Sequence, residues 1–332
     1  MAIKEIPIID LEPYFKGTEA EKKDVAKQVD FACKNIGFLI IQGHQIEKKF
    51  IEDVYDISAD FFDLPVEEKL KVKRVADDEI RGYSAIEDES LAYSLDEEMP
   101  GDLKESLTIG PINVPKNDPY FTGPEAGPHF HPNRWPDNPK GLKKLWESYF
   151  KEMTDLSASL MRIFALSLDL PEKFFDDKID RHISMFRVLN YPSQKLKPKE
   201  GQLRAGAHSD YGSLTICRIE DKPGGLQAQN SDGDWIDIPV VDNAFSVNIG
   251  DLMMQWTNDK WISTMHRVIN PPRDTAEDSR RQSLIFFHQP NYDAMVECFP
   301  SCQSKENPAK YNPISSGDHL RNKFMKQTTF DQ

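Results

Sequence analysis

The residues best suited to chemistry stand far apart in the chain. His208-Ser209-Asp210 places an imidazole and a carboxylate two positions apart. In an extended strand such residues point to the same side, so both can approach one ion. A third donor is available at His266, within Ser263-Thr-Met-His-Arg-Val268, at the start of another strand-like segment. Two histidines and one carboxylate on one face suit ferrous iron and leave positions open for a cosubstrate and O2. An H-x-D pair by itself is weak evidence, since chance yields one about half the time in such a chain. The competing reading is a pair of barrel histidines satisfied by ordinary hydrogen bonds.

Arg281-Gln-Ser283 follows His266. Arginine and serine at this spacing face the same way as Ile285 and Phe287, which would put a guanidinium and a hydroxyl inside a barrel over an apolar floor. A buried arginine needs an anion, and its planar fork matches a carboxylate. The dicarboxylate 2-oxoglutarate would meet both demands. Its keto acid end would chelate iron, and its far carboxylate would reach Arg281 and Ser283. An internal ion pair with a protein acid is left open by the sequence. The remaining histidines make poorer ligands. His129 and His131 lie in Pro128-His-Phe-His-Pro132 with no acid in register, as loop residues that could belong to a lid. His288 falls on the strand face opposite Arg281, and His44, His182 and His319 have no companions.

Something must position these groups. Seven strand-like segments recur from Ile183 onward: Ile183–Tyr191, Ser213–Ile219, Gly225–Gln229, Trp235–Pro239, Phe245–Ile249, Thr264–Ile269 and Ser283–His288, with turn signals such as Ser231-Asp232-Gly233 between them. Many short strands predict a barrel or sandwich. Upstream, Leu142, Trp146, Tyr149, Met153, Leu156, Leu160 and Ile163 fall at steps of three and four and predict one long supporting helix. Thr18 with Glu21 is a capping box that opens an earlier helix closed by Gly37, and Phe38–Ile41 reads as a buried strand. Residues 75–135 read as a long irregular loop region. The expected fold is therefore α+β: a double-stranded β-helix (jelly-roll) barrel core with flanking helices. Residues 1–120 form an N-terminal α/β region and 121–332 the jelly-roll region with its support helix, folded as one unit.

Composition excludes other classes. The net charge is −14 over 332 residues, and short basic pairs such as Lys22-Lys23 sit among acids. No basic face exists for nucleic acid or an anionic membrane. No apolar run approaches a membrane span, and the first residues lack a signal-peptide core. The four cysteines form no C-x-x-C pair, so a zinc site is not expected. The expectation is a cytoplasmic protein with free thiols and a small-molecule substrate, its oligomeric state open and compatible with a monomer.

A set of short stretches recurs in order along nearly the whole chain: Ile6-Pro-Ile-Ile-Asp10, Gly37-Phe38 through Gly43-His44, Arg81-Gly-Tyr83, Lys104-Glu-Ser106, Asn133-Arg-Trp-Pro136, Asn190-Tyr-Pro192, His208-Ser-Asp210, Gly224-Gly-Leu-Gln227, Asn248-Ile-Gly-Asp251, His266-Arg-Val268 and Arg281-Gln-Ser283. This set resembles the isopenicillin N synthase-like family of 2-oxoglutarate/Fe(II) oxygenases. The resemblance implies iron ligation by His208, Asp210 and His266, and capture of 2-oxoglutarate by Arg281, Ser283 and Tyr191. It implies the same for Asn190, although many relatives carry that asparagine one position earlier, where this chain has Leu189. It further implies oxidation of a substrate C–H bond by O2, as a hydroxylation, desaturation or oxidative cyclisation, with release of succinate and CO2. Leu203-Arg-Ala-Gly206, Tyr211, Arg187 and Phe287 are most similar to fungal thymine hydroxylases. That likeness implies a substrate pocket lined by Arg187, Tyr211 and Phe287. Arg187 and Arg204 stand near the site in sequence, and either could receive a carboxylate or carbonyl or instead form an ion pair on the barrel wall. Thymine itself does not follow, because pocket residues change faster than metal ligands. Two rival readings are an iron oxidase of the same fold that takes all electrons from its substrate, and a non-catalytic metal- or ligand-binding barrel.

Overall fold

Period-two alternation in the strands decides the architecture, because it gives each strand one face for the protein core and one for a cavity. The structure is a computed structural model that describes residues 3–75, 80–91, 100–127 and 129–328. The strands are β1 (Ile8–Asp10), β2 (Phe38–Gln42), β3 (Gly82–Ser84), β4 (Glu105–Ile109), β5 (Met185–Tyr191), β6 (Ala205–His208), β7 (Leu214–Ile219), β8 (Leu226–Gln229), β9 (Trp235–Asp237), β10 (Phe245–Ile249), β11 (His266–Val268), β12 (Arg281–His288), β13 (Met295–Val296) and β14 (Ile314–Ser315). The helices are α1 (Glu12–Lys16), α2 (Glu19–Asn35), α3 (Lys48–Phe62), α4 (Val66–Leu70), α5 (Pro119–Thr122), α6 (Leu142–Ser167), α7 (Asp176–Ile179), α8 (Asp251–Trp256) and α9 (Ser316–Thr328).

An eight-stranded sheet runs β1-β2-β10-β7-β12-β5-β4-β3, and a four-stranded sheet runs β6-β11-β8-β9. Together they form the jelly roll. The outer face of the large sheet is apolar. Val188, Leu284, Ile216 and Val247 pack there with Trp146, Tyr149 and Phe150 of α6 in one buried cluster. The α6 stripe is as the spacing predicts, with Leu142, Trp146, Tyr149, Met153, Leu156, Leu160 and Ile163 all buried. Truncating a buried tryptophan such as Trp146 costs about 3–5 kcal/mol.

The N-terminal elements join the same core: β1 and β2 extend the sheet at one edge, and α2 and α3 pack beside α6. Thr18 Oγ1 accepts the Glu21 N–H and Glu21 Oε2 accepts the Thr18 N–H, completing the capping box of α2. At Gly37 φ is +62°, and a Cβ there would meet Ile262 O at 2.0 Å, so only glycine turns α2 into β2.

Two local expectations fail. Residues 75–135 are not wholly irregular: β3 and β4 lie there and extend the large sheet beyond β5. Their alternation was hidden because the inward positions Ser106 and Thr108 are polar and only Leu107 and Ile109 face the core. Nor does a continuous strand carry both members of His208-Ser-Asp210. β6 ends at His208, and Asp210 sits in the turn beyond it.

Candidate active site

The metal-ligand candidates meet where the two sheets face each other. His266 pairs directly with His208 across β11 and β6. The next pair is Val268 with Ala205, so the register slips and β6 carries an extra residue at Gly206-Ala207. The two imidazole centroids are 4.2 Å apart. Asp210 Oδ1 lies 3.8 Å from His208 Nε2 and 3.7 Å from His266 Nε2. All three ligand atoms lie within 4.8 Å of one another, the sole such group of three or more donors among the described residues.

The hydrogen bonds around them set the tautomers. His208 Nδ1 is 2.8 Å from Gly206 O, and His266 Nδ1 is 3.0 Å from Thr264 O. A carbonyl can only accept, so each Nδ1 carries the proton and each Nε2 lone pair faces the shared point. Asp210 Oδ2 accepts from Asn248 Nδ2 at 2.7 Å, and its backbone carbonyl accepts from Asp251 N–H at 2.8 Å. Close approach of the Asp210 turn to the end of β10 requires glycine: a Cβ on Gly250 would meet Gly212 O at 2.1 Å. Burial, then the neighbouring His266, pushes the His208 pKa down to about 4. Burial alone would raise the Asp210 carboxyl; His266, His208 and the Asn248 and Thr215 hydrogen bonds outweigh it and lower it. The arrangement brings two imidazole nitrogens and one carboxylate together, a donor set that fits a divalent cation.

A cavity of about 360 Å³ opens beside this group, within the range of small-molecule sites. Its wall is the inner face of the large sheet, including Tyr191, Leu189 and Arg187 of β5 and Ser283, Ile285 and Phe287 of β12. Arg281 pairs with Tyr191 in register, its guanidinium 5.4 Å from the Tyr191 ring centre. It is 1% exposed. Nη1 donates to Gly224 O at 3.0 Å, Nε has no partner, and no carboxylate among the described residues pairs with it. The internal ion pair left open by the sequence is therefore absent among those residues, and a buried cation stands beside the cavity awaiting an anion.

Two of the sequence candidates stand off the cavity wall. Asn190 alternates with Tyr191 on β5 and so points to the opposite face, where its Nδ2 donates to Glu105 at 2.8 Å and its Oδ1 accepts from Arg280 at 3.2 Å. It does not line the cavity. Arg204 is fully buried but spent on backbone: it donates to Pro223 O at 2.7 Å, to Ser279 O and to Ser279 Oγ at 2.9 Å. Burial and the nearby Arg281 bring its pKa down to about 10. Its Nε has no partner, but Arg204 does not line the cavity and instead braces the loops around Arg281.

Arg187, Tyr211 and Phe287 do line the cavity. Arg187 Nη2 donates to Glu89 at 2.5 Å, and Lys104 and Arg74 each lie 4.0 Å from the same carboxylate. Burial opposes ionisation of Glu89, but Arg187, Lys104 and Arg74 prevail and hold its pKa down to about 2. Thr108 pairs with Arg187 across β4 and β5, and its hydroxyl has no partner. Sequence reasoning missed Glu89, Lys104, Thr108 and Leu320 of α9 as cavity residues. Strand alternation would have flagged Thr108, and Lys104 opens the Lys104-Glu-Ser106 stretch. Glu89 and Leu320 carried no sequence signal. His129 and His131 do not line this cavity but a small hollow beside it that shares Ile80, Met185 and Leu320; their carbonyls take the Arg81 guanidinium, and His129 stacks on Tyr292 at 5.8 Å.

A jelly roll with two histidines and a carboxylate at its mouth, and an unpaired buried arginine farther in, defines a non-haem iron oxygenase site. Comparison with known proteins agrees. Residues 6–138 match the N-terminal region of non-haem dioxygenases of morphine synthesis, and residues 183–290 match the 2OG-Fe(II) oxygenase superfamily. The chain is 32% identical over 325 residues to a 2-oxoglutarate-Fe(II) type oxidoreductase of Emericella nidulans, covering 96% of this chain and 89% of that one. It is 32% identical over 335 residues to a homoarginine-6-hydroxylase of Oryza sativa, covering 97% of each. The full-length thymine hydroxylase of Neurospora crassa, solved with alpha-KG and thymine, matches with a TM-score of 0.84 at 33% identity over 96% of each chain. The chain belongs to the 2-oxoglutarate/Fe(II)-dependent oxygenases. It is a dioxygenase that takes Fe(II), 2-oxoglutarate and O2 and oxidises a small organic substrate. No helix among the described residues is long and apolar enough to cross a membrane.

Proposed function

We propose that His208, Asp210 and His266 hold the iron, that Arg281, Ser283 and Tyr191 hold the far carboxylate of 2-oxoglutarate, and that Arg187, Thr108, Tyr211 and Phe287 face the substrate. The observation that carries this reading is the buried Arg281 guanidinium, with its free Nε and no acid partner among the described residues, on the inner sheet face that also bears Ser283. When bound, iron and 2-oxoglutarate supply the oxidising chemistry, with succinate and CO2 released as the substrate is oxidised. The chain supplies position and charge. Tautomers fixed by Gly206 O and Thr264 O aim both Nε2 atoms at one point. Asn248 takes one oxygen of Asp210 and leaves the other for the metal.

The substrate end favours a small polar molecule with a carboxylate or carbonyl acceptor. Arg187 Nε is buried without a partner and the Thr108 hydroxyl can donate beside it. The relatives bear on this: one is named for hydroxylating homoarginine, and another was solved with thymine. We further propose a monomeric enzyme of a reducing, cytoplasmic compartment, in keeping with four buried free cysteines. The test is anaerobic titration of Fe(II)-loaded protein with 2-oxoglutarate, followed by a screen of small carboxylates, amino acids and nucleobases for succinate formation. A visible charge-transfer band lost in His208→Ala supports the site. Iron bound with no band would point to the oxidase that uses no 2-oxoglutarate.

A further inference from the structure

His208 owes its aim to the bulge at Gly206-Ala207, and a bulge has a local cost: it leaves backbone groups outside the ladder. β6 is the edge of its sheet, paired with β11 alone. A buried N–H with no strand beside it must find another acceptor. Here the acceptor is Asp102 Oδ1, 2.9 Å from Gly206 N. The contact lies within one residue of the metal ligand's own anchor, since the Gly206 carbonyl accepts the His208 Nδ1–H.

Asp102 stands where a neighbouring strand would be. The adjacent Leu103 N–H donates to Leu203 O at 3.0 Å, so residues 102–103 run beside the approach to β6. The second oxygen of Asp102 faces the other way. Oδ2 accepts the Leu91 N–H at 3.2 Å and the Lys104 ammonium. The Asp102 backbone also bonds that segment twice: its N–H donates to Glu89 O at 2.8 Å and its carbonyl accepts the Glu87 N–H at 3.1 Å. Leu91, Glu89 and Lys104 all line the cavity. The side chain is only 3% exposed, so water does not replace these contacts.

We propose that Asp102 is a positioning residue that holds the β6 bulge for His208 and joins it to the cavity-wall segment 87–91. One carboxylate thus fixes an iron ligand with one oxygen and the substrate wall with the other. The inference rests on the proposed iron site and extends it to a residue that touches neither metal nor substrate.

Asp102→Ala and Asp102→Asn separate the two arms. Asparagine can still accept the Gly206 N–H through its one oxygen, but it has no second oxygen for Leu91 and Lys104. Three quantities are read on the purified full chain: Fe(II) affinity by anaerobic equilibrium dialysis, thermal stability, and backbone hydrogen exchange resolved by peptide. For Asp102→Ala the expected loss of iron affinity is about 10–100-fold, with faster exchange at both 205–208 and 87–91. For Asp102→Asn iron affinity stays within about tenfold of the parent protein, and exchange rises at 87–91 alone. If Asp102→Ala does not fold, Asp102→Asn carries the test. A folded Asp102→Ala protein with parental iron affinity and unchanged exchange at 205–208 overturns the inference. So does Asp102→Asn losing iron as fully as His208→Ala. If His208→Ala itself leaves iron binding intact, the site assignment falls first, and this inference with it. That outcome is distinct from loss on His208→Ala with none on Asp102→Ala, which refutes the role of Asp102 alone.

Discussion

Replacing Arg281 with alanine should weaken 2-oxoglutarate binding about ten- to hundred-fold while leaving iron in place. The magnitude follows from what the side chain faces. Its guanidinium has one backbone contact, to Gly224 O, and an unpartnered buried Nε. A ligand carboxylate would therefore gain charge-assisted hydrogen bonds worth roughly 1.5–3 kcal/mol. Arg281→Lys keeps the charge but loses the planar fork and should fall between. The assay is the anaerobic charge-transfer band, titrated with 2-oxoglutarate, read with thermal stability at fixed ligand. Suppose ligand is present at about 100 times the parent Kd; it then stabilises the protein by ~2.7 kcal/mol, and a thirtyfold weaker complex gives only ~0.9 kcal/mol. Ligand-free Arg281→Ala should be no less stable than expected for a lost side chain, because it also removes an uncompensated buried cation. A variant that binds 2-oxoglutarate as tightly as the parent would refute the reasoning and place the carboxylate site elsewhere.

Asn190→Ala should leave 2-oxoglutarate affinity unchanged and cost about 1 kcal/mol of stability through the lost Glu105 and Arg280 contacts; a weakened band titration would return Asn190 to the site. Arg187→Leu should keep the 2-oxoglutarate band but cut substrate-dependent succinate formation at least about tenfold in kcat/KM, and parental turnover would remove Arg187 from substrate recognition. Burial holds the His129 and His319 pKa values down to about 4, from 6.5 in the unfolded chain. The unfolded state therefore binds more protons between those values, and stability should fall as pH drops through that window, by at most ~1.4 kcal/mol per pH unit for each. Glu89, held at about 2, adds its own loss only below pH 4.5. Urea denaturation at pH 7, 6 and 5 checks the histidine part, and a flat profile would contradict it.

What the sequence made legible divides along physical lines. Strands whose inner face is apolar were found, because Ile285 and Phe287 alternate with Leu284 and Phe286 as the barrel requires. The α6 stripe was found for the same reason. Strands β3 and β4 were missed, since their inward positions serve a polar cavity and mimic a loop. His208, Asp210 and His266 were legible through residue type, yet the reason they converge was not: a bulge and a turn aim them, and neither has a signature beyond Gly206. Asn190 and Arg204 stand off the cavity wall for opposite reasons. Asn190 sits on the wrong parity of β5 relative to Tyr191, which alternation alone could have shown. Arg204 lies near the site in sequence, but its Nη1 and Nη2 donate to carbonyls of three loops, which no sequence pattern shows.

The same parity rule separates cosubstrate chemistry from adjustable specificity within one sheet. Facing residues across β4, β5, β12 and β7 form rows: Leu189, Ser283 and Ile219 in one, Thr108, Arg187, Ile285 and Cys217 in the next, and Met185, Phe287 and Thr215 in a third. The first row adjoins Arg281 and Tyr191, so on the proposed assignment its residues would answer to a fixed cosubstrate. The second and third rows line the rest of the cavity, where on the same assignment a substrate would meet them. Their outward neighbours, such as Val188 and Phe286, pack on α6 and feel none of this. A substitution at Thr108 or Phe287 therefore alters the cavity without touching the core, while one at the adjacent Leu107 or Phe286 opens a void and costs stability. Exchanges that shift substrate preference are therefore expected at Thr108, Arg187, Ile285 and Phe287, whereas Thr215 of the third row is tied by a hydrogen bond to the ligand candidate Asp210 and is not free to vary with them.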